Sequence, residues 1–369
     1  GVKESISHLY QGCFTPRTLP REQTNTQHAL PHPGGMLCAV ACTTPPASPL
    51  DASGLSLDPP ACAGRIENFL DLRPDIVVGT GSFSSVCAGH DIKTGRMVAV
   101  KIGQKSNKDH HLAWEQETNV LSRLSHPNII PLLASLSDTT RLCLVMPLLE
   151  GGDLFDRIVN KGCSESDSAT VTRQCLEALA YMHGEGVVHA DVKPENILFR
   201  SRDPESDGYN KVLLCDFGLS ELVPPSSSAY DNQLTDSCGT RAFAAPELIE
   251  IGLGTQLRRA FSAKVDVWAL GVVLHAMLSS SFPFSPAGCP FKALSTMRST
   301  LSSPPKEGGG LPALGGASGE ARACVLFMLT VDSEQRPTAS MGLTHPFLAP
   351  PAPPASGEIE EECTGGGPL

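Results

Sequence analysis

Basic residues are outnumbered: 28 Lys and Arg face 39 Asp and Glu, a formal net charge of −11. A broad basic face for nucleic acid is therefore not expected. An acidic surface suits cationic partners and also favours solubility. No apolar run approaches the roughly 20 residues that cross a bilayer, so no membrane partner is expected. The 13 Cys are odd in number and contain no Cys-x-x-Cys pair, which argues against a zinc module or a disulfide framework. Reduced thiols in an intracellular, cytoplasmic or nuclear setting fit better. No charged-then-apolar leader opens the chain. It begins with Gly1 rather than Met, as expected of a processed product or a fragment. Apolar residues make up only 41%, with 31 Pro and 34 Gly among 369 residues, so sizeable unstructured parts are expected.

Those parts are expected at the two ends. Residues 1–64 mix Pro, Thr, Ser, Cys and His without helical or strand period, broken by Thr43-Thr44-Pro45-Pro46 and Asp58-Pro59-Pro60. They read as a disordered extension, passive or phosphorylated at its Ser/Thr-Pro sites. Residues 349–369 are rich in Pro, Gly and acid and read as a disordered tail. Periodicity fills the span between.

The most informative stretch is His189-Ala190-Asp191-Val192-Lys193-Pro194-Glu195-Asn196. It lies between a helix-like run, Ala178 to His183, and an apolar strand, Ile197-Leu198-Phe199. A carboxylate, a cation and an amide oxygen share one turn. Phosphoryl transfer needs that set: an acceptor for a hydroxyl proton, a positive charge near the moving group and an oxygen for magnesium.

Other segments stand around it in order. Asp75-Ile76-Val77-Val78 runs into Gly79-Thr80-Gly81-Ser82-Phe83-Ser84-Ser85-Val86, followed by the β-like Met97-Val98-Ala99-Val100-Lys101. Glycines between two strands argue against a dinucleotide fingerprint, where a helix follows the glycines. Lys101 at the end of an apolar strand needs a partner if buried. Asp109 to Leu124 has helical spacing, with Leu112, Val120, Leu121 and Leu124 on one side. Leu142 to Met146 is an apolar strand, and 168–183 an apolar helix. Lys211 to Cys215 is a strand ending at Asp216-Phe217-Gly218, 25 residues after Asp191. Residues 219–238 read as a mobile loop, 254–262 as a short insertion and 304–319 as a loop.

Taken together, these segments resemble the eukaryotic Ser/Thr protein kinases from Leu70 to Leu348, three quarters of the chain. Further matches are Cys238-Gly239-Thr240 through Ala245-Pro246-Glu247, Asp266-Val267-Trp268, Arg336 in Asp332 to Ala339, and His345-Pro346-Phe347. Residues 151–158 and 196–200 look most like the calcium/calmodulin-dependent kinase group, although no basic amphipathic helix follows Leu348.

The resemblance implies an α+β, two-lobed kinase fold. Its small lobe, 66–146, is an antiparallel sheet with one helix, and its large lobe, 151–348, is mainly helical. ATP and Mg2+ are the implied cofactors, and Ser/Thr hydroxyls of proteins the acceptors. Asp191 would orient the hydroxyl and Lys193 steady the γ-phosphoryl. Lys101 would hold the α- and β-phosphates, paired with Glu117; Glu117 is favoured over Glu115 by its spacing to His126-Pro127-Asn128. Asn196 and Asp216 would bind magnesium. ATP would meet Gly79, Thr80, Gly81, Ser82, Val86, Ala99, Met146, Pro147, Leu149, Asp153 and Leu198. Leu219 implies Ser over Thr, while Asp153 and Glu195 imply a basic residue upstream of the acceptor. Cys215 is either a site of covalent modification or a buried inert thiol. A monomer is expected.

Three positions depart from the family pattern: Ser84 for a Gly, Phe243 for a Tyr and Ala190 for an Arg. In the family that Arg meets a phosphorylated loop residue, and here Asp236 stands where the phosphorylated Thr often is. Activity without loop phosphorylation is therefore expected. The alternative is an ATP-binding pseudokinase acting as a scaffold or allosteric partner.

Overall fold

The structure, a computed structural model, describes residues 66–80, 85–105, 108–222, 241–254, 262–284, 290–302, 311 and 314–349. The two terminal segments, Gly81 to Ser84 and the stretch holding Asp236 and Cys238 lie outside the described residues.

Five strands come first in the chain. They are β1 (Leu70–Thr80), β2 (Ser85–Asp91), β3 (Met97–Gln104), β4 (Ala134–Ser137) and β5 (Arg141–Pro147). They form one antiparallel sheet in the order β1-β2-β3-β5-β4. Short turns favour such neighbours, since an antiparallel pair needs only a few connecting residues. β3 is apolar on both faces because both are covered. Val98 and Val100 join Ile66, Leu70, Cys87, Cys143 and Val145 in a small core on one face. Helix α1 (Lys108–Arg123) covers the other.

The buried stripe of α1 differs from the one expected. Leu112 is 65% exposed, whereas Trp114, Glu117, Val120 and Leu121 are buried. A seven-residue step from Trp114 to Leu121 returns to nearly the same direction on a helix, whereas the eight-residue step from Leu112 to Val120 falls almost a quarter-turn off. The expected register had counted Leu112 by its hydrophobicity alone.

The remainder is mainly helical. Helices α2 (Leu154–Asn160) and α3 (Glu165–Gly184) lead to the short strand β6 (Val187–Val188). Ser164 and Asp167 close a capping box at the start of α3, which satisfies two backbone donors that the helix leaves over. Strands β7 (Ile197–Phe199) and β8 (Val212–Leu214) pair with each other, and β9 (Glu221–Leu222) pairs back onto β6. Then come α4 (Pro246–Gly252), α5 (Lys264–Ser279), α6 (Pro290–Ser302), α7 (Gly319–Met328) and α8 (Ala339–Gly342).

α5 is the axis of this half. Every residue from Val265 to Met277 is buried, as happens when a helix is surrounded on all sides. Two expected loops contain structure. β9 lies within 219–238, and the 304–319 span takes in a 3-10 turn, Leu314–Gly316, and the first residue of α7. These elements are too short for periodicity to reveal.

Candidate active site

The residues expected to be catalytic gather where the sheet meets the helical half. Lys101 comes from β3 and Glu117 from α1. Lys101 Nζ donates to Glu117 Oε1 at 2.6 Å and Oε2 at 2.8 Å, and to Asp216 Oδ1 at 2.9 Å. Glu117, not the exposed Glu115, supplies the partner. Burial works against the Lys101 ammonium, but the two carboxylates outweigh it and hold the lysine above its ordinary value. For Asp216, burial opposes ionisation and Lys101 overcomes it, keeping the carboxyl below the usual aspartate range. Glu117 is shifted the other way: burial raises its carboxyl, and the Lys101 ammonium beside it works against that rise.

The second cluster is built on the turn between β6 and β7. Lys193 Nζ donates to Asp191 Oδ2 at 2.6 Å. Asn196 Nδ2 donates to the same oxygen at 3.1 Å and to the Asp191 backbone carbonyl at 2.9 Å. Burial disfavours the Lys193 ammonium, yet Asp191 and then Glu195 raise it. With its Nδ2 turned to Asp191, Asn196 has its amide oxygen as the atom able to meet a cation.

This turn is held from below by a residue to which the sequence reading gave no role. Asp266, in the first turn of α5, is 1% exposed. Its Oδ2 accepts from the His189 amide and from His183 Nε2, and its Oδ1 from the Ala190 amide, each at 2.9 Å. Ala190 has φ +63, a left-handed backbone that side chains with a Cβ rarely adopt. Asp266 fixes the amides of His189 and of Ala190 itself, the backbone that leads into that residue. A lone carboxylate opening a helix of otherwise buried apolar residues was the available signal. His189 locks the second turn to the first. Its Nδ1 accepts from the Asp191 amide at 3.3 Å and its Nε2 donates to the Cys215 carbonyl at 3.1 Å, just before Asp216.

The remaining expected residues fall around these clusters. Ala99 pairs with Met146 across β3 and β5, and Val98 with Pro147. Gly79 pairs with Val86, and Val86 with Lys101. Asp153 bridges to Leu198. Leu149 is half-buried against the main core. The Thr80 backbone ends β1, while Gly81 and Ser82 lie outside the described residues. Gly151 touches β7 directly: its amide donates to the Phe199 carbonyl at 3.1 Å, and a Cβ there would stand 2.3 Å from that same oxygen. Only glycine lets this segment approach so closely.

Asp153 caps α2 by accepting from the Asp156 amide at 2.7 Å, and burial pushes its carboxyl up to about 6. Cys215 is less available. Its thiol donates to the Asn196 carbonyl at 3.4 Å, and burial, with Asp216 beside it, pushes the thiol up. A reactive cysteine needs the opposite environment.

Farther out, Arg336 grips Glu247 with two parallel bonds, Nη1 to Oε1 at 2.6 Å and Nη2 to Oε2 at 2.9 Å. The guanidinium is fully buried and lies over Trp268, 5.0 Å from the ring centre. Phe243 packs edge-on against Phe282 at 5.5 Å, an apolar neighbour that needs no hydroxyl.

The family described as "Protein kinase domain" matches residues 73–348. The chain belongs to the protein kinase family. The kinase is 32% identical over 287 residues to myosin light chain kinase A of Dictyostelium discoideum, covering 77% of this chain and 89% of the relative. It is 35% identical over 286 residues to a calcium/calmodulin-dependent protein kinase type I of Schizosaccharomyces pombe, covering 76% and 79%. A type 1 enzyme of Macrobrachium nipponense is 39% identical over 212 residues, 56% of each chain. With these relatives and its two-lobed fold, the kinase is a Ser/Thr protein kinase of the calcium/calmodulin-dependent group. No finding favours the pseudokinase alternative.

Proposed function

We propose that this kinase moves the γ-phosphoryl of Mg-ATP onto Ser hydroxyls in proteins through the two clusters above. The observation that carries the reading is Lys101 bridging Glu117 and Asp216 at 2.9 Å or less, beside an Asp191 seated by Lys193 and Asn196.

Lys101 holds the α- and β-phosphates, and Glu117 keeps its ammonium aimed. Asp191 accepts the hydrogen bond of the attacking hydroxyl and orients it. Lys193, already on Asp191, places positive charge beside the moving group. Little covalent work falls to the protein, so position and charge supply most of the rate.

Asp216 and Asn196 would hold magnesium. Among the described residues no group of three or more His, Cys, Asp or Glu is placed to hold a metal. A carboxylate and an amide oxygen suit magnesium, which takes one or two protein oxygens and completes its shell with phosphate and water. Its contribution is to neutralise charge on the phosphates.

Leu219 favours Ser over Thr by family analogy. Asp153 and Glu195 favour a basic residue upstream of the acceptor. Loop phosphorylation is not required, since Ala190 offers no guanidinium to a phosphate. Protein substrates with basic residues, a monomeric state and an intracellular, cytoplasmic or nuclear setting complete the proposal.

The test is transfer of labelled phosphate to a basic Ser peptide, comparing wild type with Asp191→Asn. The variant is expected to fall by about 10²- to 10⁴-fold in kcat, the usual worth of a positioned acid–base group. Equal rates would refute the part given to Asp191. Loss of activity when Ser226, Ser227, Ser228, Thr235 and Ser237 are all made Ala would refute independence from loop phosphorylation.

A further inference from the structure

Two residues with no chemical part govern how α1 stands against β3. Lys101 and Gly103 are two apart on a strand, so they face the same side. Trp114 and Glu117 are three apart on a helix, so they share a face as well. Glu117 meets Lys101, and Trp114 lies against Gly103. A Cβ on Gly103 would stand 2.8 Å from Trp114 Cζ3 and 2.9 Å from Cε3. The strand therefore has room for a hydrogen there and nothing larger, and the indole fills the space.

Packing, not polarity, places that indole. Trp114 is 7% exposed and its Nε1 is buried without a hydrogen-bond partner. A buried donor left unmet is unfavourable, so shape must outweigh it. Two residues on, Gln116 Nε2 donates to the Ser220 carbonyl at 2.6 Å, tying α1 to the segment that leaves Asp216. The helix is thus seated by groups inside the fold.

We infer that Gly103 and Trp114 form a size-matched spacer that sets the distance between α1 and β3 so that Glu117 reaches Lys101. Both are positioning residues for the transfer. The spacer works through the Lys101–Glu117 pair, so it rests on the catalytic part proposed for that pair.

The experiment uses the full chain, steady-state transfer to a basic Ser peptide, and acrylamide quenching of tryptophan fluorescence. The two tryptophans are Trp114 and Trp268, and Trp268 is wholly buried, so new quenching reports Trp114. Gly103→Val is expected to expose the indole and to lower kcat by about tenfold to hundredfold, as small misplacements of catalytic groups do. Trp114→Ala should lower kcat similarly, while KM for ATP stays within about threefold in both. Joining Gly103→Leu to Trp114→Ala refills the space and should restore most of the kcat. Thermal melts run alongside, and where Trp114→Ala does not fold, Gly103→Ala carries the test as the smallest intrusion.

A lowered melting temperature with unchanged kcat in Gly103→Val would overturn the spacer, leaving a merely structural contact. Lys101→Met separates the two layers. If it is inactive while Gly103→Val is unaffected, the spacer alone falls. If Lys101→Met transfers like wild type, the part given to the ion pair falls and the spacer falls with it.

Discussion

Asp153 is a carboxylate whose charge changes close to working conditions. Burial raises its carboxyl to about 6, so it is ionised above that pH and neutral below it. A folded-state value above the ordinary aspartate range means the group favours the folded state at low pH. That contribution is lost as pH rises through about 6. Its use as an anion runs the other way and is lost as pH falls. We expect kcat/KM for a basic peptide to drop about fourfold from pH 7.5 to 5.5, following the ionised fraction. Asp153→Asn should flatten that profile while keeping the α2 cap, because Asn caps as well as Asp. Ala190 bears on stability in the same direct way. Its φ of +63 costs an L-residue roughly 1–2 kcal/mol, which glycine does not incur. Ala190→Gly should therefore stabilise the protein in chemical denaturation by up to about 1 kcal/mol, less than the full strain because glycine is freer when unfolded. It should leave transfer unchanged.

Between elements, one buried tie is Arg336 to Glu247. It joins the turn before α8 to the first turn of α4. The two bonds make one bidentate pair, and the guanidinium is fully buried. Removing one partner leaves the other charge uncompensated in a dry place, which typically costs about 3–5 kcal/mol. Arg336→Met should lower the unfolding midpoint by several degrees in a thermal melt. Replacing both residues with apolar ones should cost less than replacing either, because no orphaned charge then remains. Asp266 ties elements by the same logic, with one carboxylate meeting two successive backbone amides that lead into a strained residue.

For the molecule as a whole, the net charge of −11 bears on how substrates arrive. A negative field draws cationic peptides and speeds their encounter, an effect that salt removes. Screening shortens from about 30 Å at 0.01 M salt to about 8 Å at 0.15 M. We expect kcat/KM for a basic Ser peptide to fall across that range while kcat stays constant. A peptide with neutral residues upstream should show little change. Equal salt dependence for the two would remove electrostatic steering from the account.

Much of this was legible along the chain because phosphoryl transfer confines several groups to short segments. Asp191, Lys193 and Asn196 share one turn, Asp216 ends one strand, and Lys101 ends the apolar run of another. Their order also carried the kinase fold and the catalytic family. Contacts between distant segments decided the rest. Glu115 and Glu117 are both plausible partners for Lys101 on the sequence, and only the packed helix turns one of them inward. Leu112 has the hydrophobicity of a core residue yet lies in solvent, because the sheet meets the face that carries Trp114. Asp266 stands 76 residues from Ala190, and its role exists only once α5 is threaded beneath the catalytic turn. The thiol of Cys215 is held off by burial that no neighbour in sequence announces. Residue type and spacing determine which chemistry is available; the folded core determines which groups meet, because a buried charge or ring must find its partner across the chain.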